Sequence, residues 1–320
     1  MSSKPRCKMI RKDKFHLTLL VCAAILCLVA NGSAVAEGDR QSDLDLAGNA
    51  SGTAVTEEYV ENAPGSGNAY NESGTAVTET QDDLAPLYVN GVLDSECLVV
   101  DGTAWMSLGR FALLAGLTYD GVYIAGVKPE ISDGGDYAVL NGRYFYLPDG
   151  LYDQGGELLW PLRVLADMFS CTVAWDETSG SIDLDVTRAA IAESGDTYYN
   201  EQDVYWLSRI IYAESGNQPL AGQIGVGNVV LNRVESPLFP DTVYAVIFDR
   251  TYGVQFSPVE TGGIYCEPDE EAIIAAKLAL GGYETVGDSL YFVNPSIGAV
   301  SWFASNFTFV ARIGDHDFYA

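Results

Sequence analysis

Glu214 closes the run Asp203-Val204-Tyr205-Trp206-Leu207-Ser208-Arg209-Ile210-Ile211-Tyr212-Ala213-Glu214. Val204, Leu207 and Ile211 recur at helical spacing, and Glu214 falls next on the same apolar stripe. Burial at that place disfavours the charged form, so a raised pKa and a carboxyl protonated near neutral pH are expected. A positioned proton donor is what the cleavage of a glycosidic bond requires of its general acid. Position alone also allows a solvated residue at a frayed helix end, the commoner fate of an acidic side chain.

The elements around Glu214 narrow that choice. Ser215-Gly216-Asn217-Gln218 reads as a polar turn, and Pro219 suits the start of a new helix. That helix, Leu220 to Val234, holds Gly222, Gly225 and Gly227. Glycine costs about 1 kcal/mol relative to Ala inside a helix, so the close approach of another backbone or a ligand is expected to compensate. Glu214 then sits on a helix-turn-helix corner against a glycine-faced helix.

Other chemistries find less support. A zinc hydrolase needs several ligands, usually including His. The chain has only His16 and His316, and its cysteines show no metal-ligand spacing, so no metal and no cofactor is expected. A Ser-His-Asp or Cys-His hydrolase would have to use His316, with Cys266 as the one cysteine worth weighing. In isolation His316, in the turn Gly314-Asp315-His316, reads as structural. Glu260, Glu267 and Asp249 are candidates for a second carboxylate, but solvation is the default for each.

A set of short motifs carries a resemblance. Ile211-Tyr212-Ala213-Glu214, Gly222-Gln223, Val230-Leu231-Asn232-Arg233-Val234 and Phe239-Pro240 come first. Val246-Ile247-Phe248, Gln255-Phe256-Ser257-Pro258-Val259, Leu290-Tyr291-Phe292-Val293-Asn294-Pro295 and Ile313-Gly314-Asp315-His316-Asp317-Phe318-Tyr319 follow in order. Over residues 201–320 the chain resembles the SleB/CwlJ-type bacterial cell wall hydrolases, which include spore cortex-lytic enzymes. The resemblance implies a lysozyme-like catalytic domain acting on peptidoglycan glycan strands, with Glu214 as catalytic acid. It also makes His316 a wall of the active cleft. Cys266 departs from the family, which more often has a large apolar residue there.

Saccharide recognition needs aromatic and amide side chains that stack on sugar faces and bond hydroxyls and acetamides. Tyr212, Gln223, Gln255, Phe256, Ser257, Tyr291, Asn294 and Trp302 are the candidates. Core packing competes for Phe256 and Trp302, while Tyr291 and Asn294, at a strand end before Pro295, are expected to face an opening. With no clear second carboxylate, a lytic transglycosylase fits best. One glutamate protonates the glycosidic oxygen and then takes the proton of the sugar's 6-hydroxyl, leaving 1,6-anhydro ends. Hydrolysis by water stays open, as does a non-catalytic wall-binding surface protein.

The remainder bounds this reading. Residues 1–36 resemble a secretory signal: six basic residues from Lys4 to Lys14, the apolar run Leu17 to Ala30, and Ala34-Val35-Ala36. The run is short for a bilayer span of about 20 residues, so secretion is expected, with an N-terminal anchor as the alternative. The net charge is -27 and grows more negative once that basic segment is removed. This opposes nucleic acid or an anionic membrane as partner and is compatible with a neutral sugar backbone. Residues 37–86 are polar and Gly/Ser/Thr-rich, with Ser51 to Glu57 repeated at Ser73 to Glu79, and read as a disordered linker.

Residues 87–187 hold two similar halves: helix-like Ala104 to Gly116 and Leu159 to Phe169, each followed by a strand-like piece, Leu117 to Asp120 and Thr172 to Asp176. The second continues as a hairpin into Ser181 to Val186. Pro161-Leu162-Arg163 and Val173-Ala174-Trp175-Asp176 make this region resemble the stalk domain named for copper amine oxidases, without implying copper; association with the wall through it is an open expectation. Cys97 and Cys171 fall within it and either bridge or serve as small buried residues. Residues 188–200 read as a connector. The expected fold class is α+β, a lysozyme-like catalytic domain at 201–320 after a small α+β stalk domain.

Overall fold

The computed structural model describes residues 83–251, 253–297 and 300–320. The signal-like segment and nearly all of the expected linker lie outside the described residues. The described part is a mixed α and β structure, and its first strand already includes Asp83 to Pro86, ahead of Leu87. Strands β1 (Asp83–Val89), β2 (Val92–Val100) and β3 (Thr103–Ser107) run antiparallel in succession. Asn90-Gly91 and Asp101-Gly102 join them, with φ of 50° and 78° and of 50° and 77°. Type I′ turns need positive φ at both central residues, which Asn-Gly and Asp-Gly supply.

Helix α1 (Leu108–Leu114) follows, capped by Ser107, whose hydroxyl accepts from the Arg110 N–H. A small sheet of β4 (Glu130–Ile131), β5 (Tyr137–Leu140) and β6 (Arg143–Tyr146) comes next. Then come β7 (Tyr152–Gln154), β8 (Glu157–Pro161), α2 (Leu162–Met168), β9 (Thr172–Asp176) and β10 (Ser181–Asp185). The large sheet has the order β7-β8-β3-β2-β1-β10-β9, with only β1 and β10 parallel.

Helix over Ala104–Gly116 and Leu159–Phe169 holds only in the second part of each stretch. Ala104–Ser107 and Leu159–Pro161 are strand, because the two halves pair with each other: Met106 lies opposite Trp160 and Ser107 opposite Leu159. That ladder buries both Met106 and Trp160, more apolar surface than a solvent-facing helical turn would cover. Leu117 to Asp120 forms no strand beyond an isolated bridge from Tyr119 to Ile124. The expected hairpin is β9 and β10. Cys97 and Cys171 are buried free thiols, so they form no bridge.

The segment expected as a connector is packed down. Ala192 is buried, and the Ala190 and Ala192 amides donate to the carbonyls of Phe169 and Met168 at 3.0 and 2.9 Å. It carries the short helix α3 (Gly195–Tyr198) and leads to Asn200, whose side-chain oxygen caps α4 (Glu201–Ser215) by accepting from the Gln202 and Asp203 amides.

Helices α4, α5 (Leu220–Glu235) and α8 (Glu270–Leu280) pack on one another around Leu207, Ile211, Ile224, Val229, Ala275 and Leu278. Two shorter helices, α6 (Val243–Ile247) and α7 (Ser257–Thr261), and a 3-10 turn at Gly263–Tyr265 cover one side of α4. A Cβ on Gly225 would lie 2.8 Å from Val286 and 3.0 Å from Phe318; one on Gly227 would lie 3.0 Å from Ala279 and 3.1 Å from Ile211. The glycines of α5 therefore admit neighbouring side chains, with the Ile313 carbonyl also in contact range at Gly222. The chain ends with β11 (Tyr291–Val293), α9 (Val300–Asn306), β12 (Phe309–Ile313) and β13 (His316–Tyr319), the strands in the order β11-β13-β12.

The two cores touch. Tyr137, Tyr144 and Tyr146 of the small sheet pack against the helical core, and Tyr283 packs against both.

Candidate active site

Helix α4 buries Leu207, Ile210 and Ile211, and its last turn brings Glu214 out half-buried. The turn that follows is braced in several places. Ser215 is fully buried and its hydroxyl donates to the Ile211 carbonyl at 2.9 Å. Gln218 is buried too; its side-chain carbonyl accepts from the Asp315 N–H at 2.7 Å and its amide donates to the Asp315 carboxylate at 3.3 Å. Gly314 lies so close to Gln218 that any Cβ there would overlap the Gln218 side-chain oxygen, and its φ of 56° suits glycine. The hairpin turn between β12 and β13 is thus clamped onto the turn after Glu214.

From that clamp the contacts run inward. Gln223 is fully buried and donates to the Gln218 carbonyl at 3.1 Å; its side-chain oxygen has no hydrogen-bond partner among the described residues. His316 is buried, edge-on to Phe292 at 5.3 Å and to Phe318 at 6.2 Å. Phe292 in turn lies 6.5 Å from Phe256. Gln223, Phe256 and His316 are therefore near one another through Gln218 and Phe292, but as parts of the packing. Phe256 is a core residue at 2% exposure, in keeping with the core-packing alternative left open for it. The Gln223 amide braces the turn from within and offers no open face to a ligand.

Tyr291 also differs from expectation. It is buried among Phe239, Phe303 and Phe307, with the Phe307 ring at 4.3 Å, so it faces an aromatic cluster rather than an opening. Trp302 on α9 belongs to the same cluster, half-buried against Phe303 and Phe307. Asn294 is half-exposed, and its side-chain carbonyl accepts from the Ser296 amide and hydroxyl at 2.9 and 2.6 Å. Tyr212 and Ser257 are half-buried, Ser257 at the start of α7, while Gln255 is nearly buried and donates to the Gly253 carbonyl at 3.3 Å. Helix α7 touches α4, so the Gln255–Val259 segment packs beside the helix that carries Glu214.

The candidate second carboxylates are occupied or exposed. Asp249 accepts from the Thr251 amide and hydroxyl, Glu267 pairs with Arg209 at 3.3 Å, and Glu260 is exposed. Among the described residues no three His, Cys, Asp or Glu side chains converge as a metal site.

Asn232 and Arg233, which entered the reading of the sequence only as part of a motif, organise the structure here. Asn232 donates to the carbonyls of Gly287 and Ser289 at 2.7 and 3.0 Å, and Arg233 to that of Leu290 at 2.8 Å. The Arg233 guanidinium also lies 4.9 Å from the Phe239 ring, 5.2 Å from Phe256 and 5.5 Å from Tyr291. A buried arginine is stabilised by aromatic faces and carbonyls, so this pair fixes the strand β11 against α5. Asn-Arg at the end of an apolar helix, with Phe239 soon after it in sequence, was the available signal. Asp317 is likewise buried and held by Arg312, with one contact at 2.7 Å.

Residues 217–319 match the family described as Cell Wall Hydrolase, a match that begins just after Glu214. The spore cortex-lytic enzyme of Halalkalibacterium halodurans is 38% identical over 120 residues, 38% of this chain and 35% of that protein. That of Bacillus subtilis is 33% identical over 129 residues, 40% of this chain and 41% of that protein. The chain thus spans well under two thirds of the length of these curated relatives. A solved structure, the catalytic domain of the germination-specific lytic transglycosylase SleB from Bacillus anthracis, is 36% identical. It is covered over 97% of its length by 38% of this chain, with a TM-score of 0.35. The C-terminal part of the chain thus carries a match to the Cell Wall Hydrolase family and is similar in sequence to spore cortex-lytic enzymes.

Proposed function

We propose that residues 201–320 cleave the glycan strands of peptidoglycan by lytic transglycosylation, with Glu214 as the general acid and base, on a lysozyme-like scaffold. One observation carries the reading: the only carboxylate at the end of the core-facing stripe of α4 is half-buried, and the turn behind it is clamped by Gln218 and Asp315. A rigid second layer of this kind holds a proton donor in place. Glu214 gives its proton to the glycosidic oxygen as the bond from C1 breaks. The carboxylate then accepts the proton of the 6-hydroxyl as that oxygen bonds to C1, so one group serves both halves of the reaction. Tyr212, Ser257, Asn294 and Trp302 are the candidates left partly open to a sugar.

The names of the relatives extend the proposal to cortex peptidoglycan as the substrate, and the signal-like N-terminus to action outside the cytoplasmic membrane. The sheet domain before residue 187 is proposed as a stalk that could associate with the wall. Mass spectrometry of fragments released by the purified protein tests the chemistry. Products ending in 1,6-anhydro-N-acetylmuramic acid are expected. Reducing muramic ends would instead make Glu214 the acid of a hydrolase, and no cleavage at all would favour a wall-binding protein.

A further inference from the structure

Away from the Glu214 turn, three separate elements bring aromatic rings together around Trp206. Trp206 lies edge-on to Tyr205 at 4.9 Å, to Tyr244 of α6 at 5.3 Å, to Phe248 at 5.0 Å and to Tyr265 of the 3-10 turn at 6.5 Å. Tyr244 and Phe248 lie 4.5 Å apart. Trp206 and Phe248 also pack on the helical core, but Tyr205, Tyr244 and Tyr265 are 43%, 53% and 66% exposed. An exposed cluster of large rings forfeits the burial that would stabilise it and marks a surface that meets a partner. Its rim is polar: Arg209 lies 3.7 Å over the Tyr205 ring and reaches Glu267 at 3.3 Å.

The geometry points to a second saccharide-binding platform, occupied by an uncharged stretch of the same glycan strand that Glu214 cleaves. This rests on the function proposed above. Sugar rings present C–H faces that stack on aromatic rings, while the exposed Glu267 carboxylate at the rim can bond hydroxyls and acetamides. The strongly negative chain disfavours an anionic polymer on this face. Continuity with the catalytic end favours the strand. Trp206 and Glu214 stand on one helix, about 12 Å apart along its axis at 1.5 Å per residue. The segment that begins with Gln255–Ser257 beside α4 ends at Tyr265 on the platform. A polymer gripped there would be held while its next linkages pass the acid.

The test is co-sedimentation of Glu214→Gln protein with insoluble peptidoglycan, so that binding is read without cleavage, with a soluble N-acetylglucosamine hexamer as competitor. Adding Tyr244→Ala and Tyr265→Ala should weaken binding roughly tenfold, the worth of two stacked rings. Tyr244→Phe with Tyr265→Phe should retain it, which separates stacking from a loss of fold. Unchanged binding in the alanine variant, loss in the phenylalanine variant, or failure of the hexamer to compete would each overturn the platform. Full cleavage by Glu214→Gln would instead overturn the proposed catalysis, and the platform would still stand or fall by the binding result.

Discussion

At the scale of single residues, Glu214 and its clamp lead to distinct expectations. Glu214→Gln keeps shape and hydrogen bonding but has no proton to give, so strand cleavage should fall by about 10²–10⁴-fold in a peptidoglycan turbidity assay, with the melting temperature nearly unchanged. Gln218→Ala leaves Glu214 in place but strands the Asp315 amide and removes the brace behind the turn. It should cost about 1–3 kcal/mol in urea unfolding and also slow cleavage. A variant as active as wild type would show that the clamp does not position the acid. Cys171 gives a pH signature of its own. Burial next to Asp185 pushes its thiol from 9.0 up to about 11. The folded state therefore keeps the proton that the unfolded state loses, so this contribution is complete below pH 9 and is lost as pH rises to about 11. The fall in stability across that window should be shallower in Cys171→Ala; equal slopes would mean the thiol titrates alike in both states. Sequence made Glu214 visible because its stripe has a period. It could not place Gln223, Phe256, Tyr291 or His316, because polarity and aromaticity say what a side chain can touch, not whether a neighbour such as Phe307 or Phe292 has already covered it.

At the scale of elements, the glycines of α5 separate two opposing effects. Alanine is favoured over glycine in a helix by about 1 kcal/mol. At Gly225 the added methyl would meet Val286 and Phe318 at 2.8 and 3.0 Å, and overpacking a close-packed core costs about 1–3 kcal/mol. Gly225→Ala should therefore destabilise. At Gly222 the nearest atoms, on Gln218 and Ile313, lie at 3.3 and 3.4 Å, so Gly222→Ala should be close to neutral or stabilising. Denaturant midpoints of the two variants should move apart; a loss at Gly222 as large as at Gly225 would show that contact distance is not what decides. The unfavourable run of glycines was legible as a sign of close approach, but which partners approached was not. The hairpins at Asn90-Gly91, Asp101-Gly102 and Asn141-Gly142, which joins β5 to β6, rest on turn dipeptides that the reading of the sequence did not use. The short strands ahead of α1 and α2 carry no such local signal, because Trp105 and Trp160 become strand residues only when β3 and β8 find each other across a long stretch of chain.

At the scale of the whole molecule, the contact between the two cores sets how the chain unfolds. Two independent bodies joined by a connector would unfold separately, and the polar stretch from Arg188 to Asn200 suggested such a joint. In the structure Ala192 is buried in the sheet core, the Tyr199 hydroxyl accepts from the Tyr144 amide at 3.1 Å, and Lys277 lies 4.9 Å from the Tyr144 ring. Tyr283 is the shared piece: it packs on both cores, stands edge-on to Tyr146 at 6.3 Å, and burial pushes its hydroxyl pKa well above the usual phenol value. A side chain claimed by two cores makes the loss of either one costly to the other. Calorimetry on residues 83–320 should therefore show one cooperative transition. Tyr283→Ala removes a large ring from the junction and should cost about 3 kcal/mol, as truncation of a buried aromatic does. At about 2–4 °C for each kcal/mol in a chain of this size, that is a visible drop in melting temperature, with the single transition broadening or splitting as the cores uncouple. The isolated segment 200–320 should still fold, since its own core of α4, α5 and α8 is complete, but should melt below the full chain because the face that met Tyr137, Tyr144 and Tyr146 is laid bare. Equal melting of the fragment and the full chain, with two resolved transitions in the latter, would show that the contact contributes nothing and that the sheet domain is only a spacer for the enzyme.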